Sequence, residues 1–340
     1  MNKIALLQRF TGSLVGVHVG DSIGAPYEQT FKPEKIAEDI AARGGLTFFD
    51  YPNPWAALKD GNEGTLPAGR PTDDTEQTAR LARSLLACNG LDPEHLHDEL
   101  HASTFGKESV LWKGRSTGGG KTTFNALSKV PARVELARTN PIGTNGSLMR
   151  CSPMALWWCR DILQVNAELQ ATDNTAIKAA VFAMSDVTHA HPHSKSACWI
   201  YSIVLASLLT GNERETAFGD VEFFDHTMTK DPLCIRVFTS LYDPNLIPFD
   251  PGAFPARGTA EFSLYVALYA LKHSKTFEDG IEIAVRVGGD TDTYAAIAGG
   301  LLGAHYGYEA IPLEWRKTIL GHDQMVDYAT KIYELRCGAH

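Results

Sequence analysis

Apolar residues recur at helical spacing along most of the chain. Ile4, Leu7, Phe10 and Leu14 fall three and four residues apart, and Leu81, Leu85 and Leu86 continue the same pattern further on. The stretches 176–184, 199–209, 262–271 and 294–306 are apolar, long and mostly free of helix breakers. Sustained strand-type alternation is hard to find; residues 46–49 and 221–224 are the best short candidates. Stretches 43–71 and 242–259 are rich in Pro, Gly and Asp and read as surface excursions. Neither an internal repeat nor a shift in composition divides the chain. The expectation is an all-α protein, one compact many-helix domain over residues 1–340.

Two of these segments carry glycine stripes. Gly12, Gly16, Gly20 and Gly24 fall every four residues, as do Gly299, Gly303 and Gly307. An interior helical glycine costs about 1 kcal/mol relative to alanine, so a compensating contact is expected. Residues four apart share one helix face, and bare faces let two backbones approach closely. The segments near residues 20 and 300 are therefore predicted to meet.

Composition narrows the class. With 44% hydrophobic residues in 340, the chain can bury a large core and is not intrinsically disordered. A formal net charge of −9 and the lack of any basic run argue against a nucleic-acid surface. The first residues lack the apolar run of a secretory leader. The longest uncharged stretch, 196–212, contains Ser202, Ser207 and Thr210, so a buried helix is expected there and not a membrane span. The six cysteines are dispersed without a C-x-x-C pair, which suits reduced thiols and a cytoplasmic location. A monomer is expected.

Three patterns imitate known sites. The run from Gly114 to Thr122 resembles a phosphate loop, but five residues instead of four separate Gly114 from Gly120-Lys121, and Arg115 stands early in the gap. It stays a ligand-contact candidate through its backbone N–H groups. His97 and His101 have zincin spacing, yet Asp98 follows the first histidine, so a solvated helix face is the better reading. His189, His191 and His193 are dense, but Pro192 breaks any helical presentation, leaving a loop with one useful histidine.

Paired acids interleaved with threonine are harder to explain as caps. Thr72-Asp73-Asp74-Thr75 opens the helix through Leu86, and Gly288-Gly289-Asp290-Thr291-Asp292-Thr293 opens the second glycine-striped helix. Helix capping accounts for one such cluster, not for two. If they converge, Asp73, Asp74, Asp290 and Asp292 crowd negative charge that a cation must offset. Carboxylates with hydroxyl oxygens suit Mg²⁺, Mn²⁺ or Ca²⁺, with no soft ligand to select zinc.

These segments resemble those of the ADP-ribosylglycohydrolase family, in that family's order. Gly20, Asp21, Gly24 and Glu28 match its Gly-Asp-x-x-Gly-x-x-x-Glu segment, and Thr72 to Thr75 its Thr-Asp-Asp-Thr signature. Asn145, Gly146, Met149 and Arg150 match Asn-Gly-x-x-Met-Arg, Thr188-His189 the Thr-His pair, and Gly288 to Thr293 the last signature. The resemblance implies an all-α fold with two Mg²⁺ or Mn²⁺ ions at the base of an ADP-ribose cleft. Thr72, Asp73 and Asp74 would hold metal from one side, and Asp290, Asp292 and Thr293 from the other. Glu28 would sit at the rim. The loop Gly118, Gly119, Gly120, the turn Asn145, Gly146, Ser147, and His189 would contact diphosphate and ribose. Asp74 or Asp292 would serve as base and Glu28 as acid. Glu76-Gln77 after Thr75 and the long 43–71 excursion depart from the family pattern.

The activity implied is metal-dependent removal of ADP-ribose from a modified protein side chain, arginine above serine. Acids of the excursion, Asp50 or Asp60 for instance, would matter to an arginine leaving group only if they lie close. The alternatives are hydrolysis of another ADP-ribosyl conjugate, or a catalytically silent ADP-ribose-binding protein.

Overall fold

A computed structural model describes residues 3–53, 64–106, 108–114, 119–128, 143–168, 175–225, 228, 230–245 and 258–338. Its elements are almost all helical. In chain order they are α1 (Lys3–Gly24), α2 (Pro33–Ala42), α3 (Asp73–Cys88), α4 (Pro93–Phe105), α5 (Lys121–Leu127), α6 (Ser152–Glu168), α7 (Thr175–Asp186) and α8 (Pro192–Leu209). There follow α9 (Arg214–Phe224), α10 (Pro232–Tyr242), α11 (Ala260–His273), α12 (Phe277–Val285), α13 (Thr291–Tyr306), α14 (Leu313–Thr318) and α15 (His322–Cys337). The one sheet among the described residues pairs β1 (Tyr51–Pro52) antiparallel with β2 (Thr65–Leu66).

Each apolar stretch predicted as helix lies in one, and the uncharged stretch 196–212 is helical as far as Leu209. The two strand candidates do not form strands: residues 46–49 are irregular, and 221–224 end α9. In the second case Val221 fills the core as a helical residue, so packing overrides β propensity. Helix ends carry ordinary chemistry. Asp92 caps α4 by accepting from the N–H groups of Glu94 and His95 at 2.9 and 3.1 Å, and Asn89 ends α3 in the left-handed conformation at φ 52°.

The core is organised around α1 and α13, which run antiparallel and are buried nearly all round. Their backbones meet where side chains are missing. A Cβ added at Gly16 would lie 2.1 Å from the carbonyl oxygen of Gly299, and one at Gly303 would lie 1.9 Å from that of Gly12. Gly20 faces Ala295, and Gly24 faces Thr291. The stripe on the second helix ends earlier than expected. Gly307 has φ 86° and terminates α13, with open space where a Cβ would be. Arg9 locks the far end of the pair, its Nη1 donating to the carbonyls of Leu208, Ala304 and His305 at 3.1, 2.6 and 2.9 Å. Helices α8, α11 and α12 pack around this pair, and α15 braces α1 from the other side. No helix among the described residues is long and apolar enough to cross a membrane.

The close approach generates a paired prediction. Gly303→Ala forces two backbones apart and should destabilise the fold by about 2–3 kcal/mol or more, the cost of overpacking exceeding the propensity gain. Gly219, in α9, has nothing within 4 Å of an added Cβ. Gly219→Ala should therefore stabilise by up to about 1 kcal/mol. Denaturant melts of both variants check the pair, and equal effects would contradict the packing.

Candidate active site

The α1–α13 contact fixes where the acids go. Glu28 follows α1 through one 3₁₀ turn, Ala25–Tyr27, and its loop is clipped to the start of α13. Gln29 N donates to Gly289 O at 2.7 Å and Gly289 N to Thr30 O at 2.9 Å. The clip needs backbone that few residues adopt: Gln29 has φ 64°, and Gly288, at φ 72°, has no room for a Cβ beside Thr30 O.

Helix α3 is brought in by Asp21, the only acid in α1 and fully buried. Its carboxylate accepts from Thr72 N and Thr75 N at 3.0 and 3.1 Å, from Thr72 Oγ1 at 2.7 Å, and from Thr75 Oγ1. Asp21 matches a sequence motif but is not among the site residues expected from the signatures. A lone acid inside a buried helix was the available signal, because such a charge demands several partners.

Two acidic triads result, each with carboxylate oxygens within 4.8 Å of one another: Asp21, Asp74 and Asp292, and Glu28, Asp290 and Asp292. Asp292 belongs to both. All six residues expected from the two signatures line one cavity of about 300 Å³: Thr72, Asp73, Asp74, Asp290, Asp292 and Thr293. Glu28, Gly119, Gly120, Asn145, Gly146 and His189 line it too. Gly118 lies outside the described residues. Ser147 points elsewhere, its buried hydroxyl accepting from Ser185 Oγ at 2.8 Å and from Cys198 Sγ at 3.5 Å.

Burial governs the electrostatics. It is the largest cause raising Glu28 to about 8, with the charges of Asp290, Asp73 and Asp21 adding to it. Burial and then Asp21 raise Asp73 to about 7. Asp74 and Asp292 are pushed well up by burial and by their acidic neighbours. The opposing groups are few. Asn145 Nδ2 donates to Asp290 Oδ2 at 2.6 Å and to Ser263 Oγ at 2.9 Å. Gln77 Nε2 donates to Asp73 Oδ2 at 3.1 Å, and its Oε1 accepts from the buried Arg150 Nη1 at 2.8 Å. Gln77, one of the departures from the family pattern, thus links a guanidinium to a site carboxylate. Asp74 Oδ1 is buried and has no hydrogen-bond partner of good geometry among the described residues, although the Thr293 hydroxyl is near enough to favour the carboxylate; a bound cation would satisfy this oxygen. Hard oxygen donors, a shared central carboxylate and an orphaned oxygen all fit divalent ions of the Mg²⁺ or Mn²⁺ type.

The 43–71 excursion contributes differently from expectation. Asp50 is exposed, accepts from Ala68 N at 2.8 Å and does not line the cavity; Asp60 lies outside the described residues. Tyr51, Leu66 and Arg70 line it instead, and Tyr51 and Leu66 join Ala25 in a small apolar cluster apart from the main core. The imitation motifs divide. The glycine run brings Gly119, Gly120 and Lys121 to the cavity, with Gly120-Lys121 opening the short helix α5. His97 is buried, not solvated as its helix face led one to expect, and pairs with Asp98 at 3.0 Å. His189 lines the cavity, whereas His191 caps α8 by accepting from His193 N at 3.1 Å.

The chain is also similar to known proteins. A family model described as ADP-ribosylglycohydrolase matches residues 2–340. The chain is similar to the ADP-ribosyl-[dinitrogen reductase] glycohydrolase of Rhodospirillum rubrum, 28% identical over 90% of this chain and 88% of that one. It is also similar to the ADP-ribosylarginine hydrolase Tri1 of Serratia proteamaculans, 25% identical over 96% of this chain and 79% of that one. The ADP-ribosylhydrolase ARH3 of Danio rerio is 27% identical over 98% of this chain and 92% of that one. A solved ADP-ribosylglycohydrolase-related protein complex superposes with a TM-score of 0.70 at 25% identity, covering 98% of this chain and 99% of the other.

The acid cluster predicts an unusual pH dependence without divalent cations. In that state Glu28 and Asp73 retain protons that unfolded carboxyls lose near pH 4. Folding is then favoured at low pH, and this contribution is lost as pH rises through about 7 and then about 8. Between pH 6 and 9 the chelator-treated protein should fall in Tm by on the order of 2–6 °C. Mg²⁺ or Mn²⁺ should raise Tm most at the alkaline end. Scanning calorimetry with and without cation checks both, and a rising cation-free Tm would contradict the cluster.

Proposed function

The chain belongs to the ADP-ribosylglycohydrolase family, and from that premise we propose a metal-dependent hydrolase that removes ADP-ribose from a modified protein side chain. The observation that carries this reading is the pair of acidic triads sharing Asp292 at one cavity. Thr72, Asp73 and Asp74 on α3 and Asp290, Asp292 and Thr293 on α13 would hold two Mg²⁺ or Mn²⁺ ions, with Asp21 as a further candidate beside them. When bound, these ions supply Lewis-acid polarisation of ligand oxygens and offset the buried negative charge.

The chain's own groups account for the remaining chemistry. Cleavage at C1 of the ribose builds oxocarbenium character, which carboxylates facing the sugar stabilise. Asp74 or Asp292 accepts the proton of the attacking water, and Glu28, half-buried on its clipped loop, protonates the departing group. Gly119 and Gly120 offer backbone N–H groups to the diphosphate. Asn145 is committed to Asp290 and Ser263, so it orients a metal-side carboxylate as well as lining the cavity.

For the bond cleaved we propose ADP-ribosyl-arginine. The support is similarity to relatives whose names carry ADP-ribosylarginine and dinitrogen reductase, together with a carboxylate, Glu28, in the cavity lining. Peptides carrying ADP-ribose on Arg or on Ser, at equal concentration with Mg²⁺, should release ADP-ribose faster from Arg. Faster release from Ser overturns the linkage and leaves the hydrolase standing; release from neither overturns both.

The shared carboxylate also sets mutational behaviour. Asp73→Asn and Asp292→Asn should each lower kcat by about 10²-fold or more, and the double variant should be little worse. Groups serving one site are strongly non-additive. Independent, multiplicative losses would show that α3 and α13 do not act as one unit.

A further inference from the structure

We propose that His189, whose contact with the ligand the family resemblance already implies, is locked as the neutral Nε2–H tautomer, with Arg150 and Thr188 as the residues that position its donor N–H. The argument follows the protons through three buried side chains. Arg150 Nη2 donates to Thr188 Oγ1 at 2.7 Å. A guanidinium has no acceptor, so the direction of this bond is fixed. Thr188 is fully buried and carries a single hydroxyl proton; among the described residues its other side-chain hydrogen bond is with His189 Nδ1, at 2.7 Å. That proton therefore goes to Nδ1, which must be the unprotonated acceptor, and the ring's own proton sits on Nε2.

The other two states of the ring fail. With the proton on Nδ1, the hydroxyl oxygen could accept from both Arg150 and the ring, but its buried O–H would lose its acceptor, at the cost of an unmade buried bond. A doubly protonated ring would add a second buried cation beside Arg150. Burial and that neighbouring charge hold the imidazole well below its ordinary value.

The Nε2 edge faces open space kept by a glycine. A Cβ at Gly146 would lie 2.8 Å from Nε2, 2.7 Å from Cε1 and 3.3 Å from Thr123 Oγ1. His189, Gly146 and Thr123 all line the cavity. The missing Cβ leaves a niche with one locked N–H and one hydroxyl. Such a niche recognises an acceptor oxygen. On the ADP-ribosyl ligand of the proposed function, on which this half of the inference rests, that oxygen belongs to a phosphate or to a ribose. The same lock removes Nδ1 from general-base chemistry and leaves the proton transfers to the carboxylates. Of the dense His189, His191 and His193 run, one ring is thus specified down to its proton.

Long-range ¹H–¹⁵N correlation on histidine-labelled, full-length protein at pH 7 tests the lock without any ligand. His189 should show Nδ1 as pyridine-type and Nε2 as pyrrole-type; a reversed, averaged or doubly protonated pattern overturns it. Thr188→Ser should keep the pattern, whereas Thr188→Val should scramble it. Calorimetric affinity for ADP-ribose should fall about 3- to 15-fold in Thr188→Val and His189→Phe. It should stay within about 3-fold of wild type in Thr188→Ser and in His189→Gln, which keeps an N–H donor. Titration with ADP and separately with ribose identifies the oxygen by which one moves the Nε2 signal. ADP-ribose that binds without moving that signal overturns the donor role. Absence of ADP-ribose binding by wild type overturns the proposed ligand, while the tautomer is decided by the spectrum alone.

Discussion

The backbone contact between α1 and α13 is the constraint from which the rest of this molecule follows. Glycine every fourth residue on α1 lets carbonyl oxygens of α13 sit where side chains would be. The two helices are thereby held in one register, and their adjoining ends bring Asp21 and Glu28 against Asp290 and Asp292. Looser packing would preserve the helices and lose the triads, because carboxylate oxygens must meet within a few ångström to share a cation. The glycines cost helix propensity, and the burial and dispersion gained by close approach offset it.

The second consequence is a concentration of negative charge that, among the described residues, is met mostly by neutral hydrogen-bond donors. Asp21 is satisfied by threonine donors, Asp290 by Asn145, and Asp73 by Gln77 backed by Arg150. These are mostly neutral dipoles. They stabilise carboxylates without capping them by a direct ion pair, which keeps oxygens such as Asp74 Oδ1 available to an ion. Where a strong pair is wanted for structure, the chain makes one. Arg80 bonds to Glu76 and Glu99 at 2.8 and 3.2 Å within the same helix α3 and its neighbour α4. One helix therefore carries a buried ion-pair network along its body and, at its N-terminus, acids held by neutral donors, with Asp74 Oδ1 left over. Breaking either kind of buried charge arrangement is costly, but only the second leaves room for a ligand.

Besides the acids, the cavity is lined by Gly119, Gly120, Gly146, threonines, Lys121 and the His189 ring. The excursion adds Tyr51 and Leu66, from a small apolar cluster, and the buried Arg70. One cavity thus combines hard carboxylate oxygens with hydrogen-bond donors.

Much of this was legible in the sequence. Helical periodicity located the principal helices, the glycine stripes indicated which two would touch, and the paired Thr/Asp clusters identified the acids. Each is a local pattern with a local physical cause: a 3.6-residue period, a missing Cβ, a carboxylate beside a hydroxyl. The sequence could not reveal that Asp21 is the buried anchor of α3, because its partners lie more than fifty positions away and bond to it only after α1 is packed. Nor could it tell that Ser147 turns into the core while Gly146 faces the cavity, or that Asp50 spends its carboxylate on Ala68 N. Position in a motif names a residue, whereas side-chain direction depends on which neighbours compete for its hydrogen bonds. The proton on His189 is the clearest case. Its location depends on a guanidinium from one segment and a hydroxyl from another, so only the tertiary structure decided it.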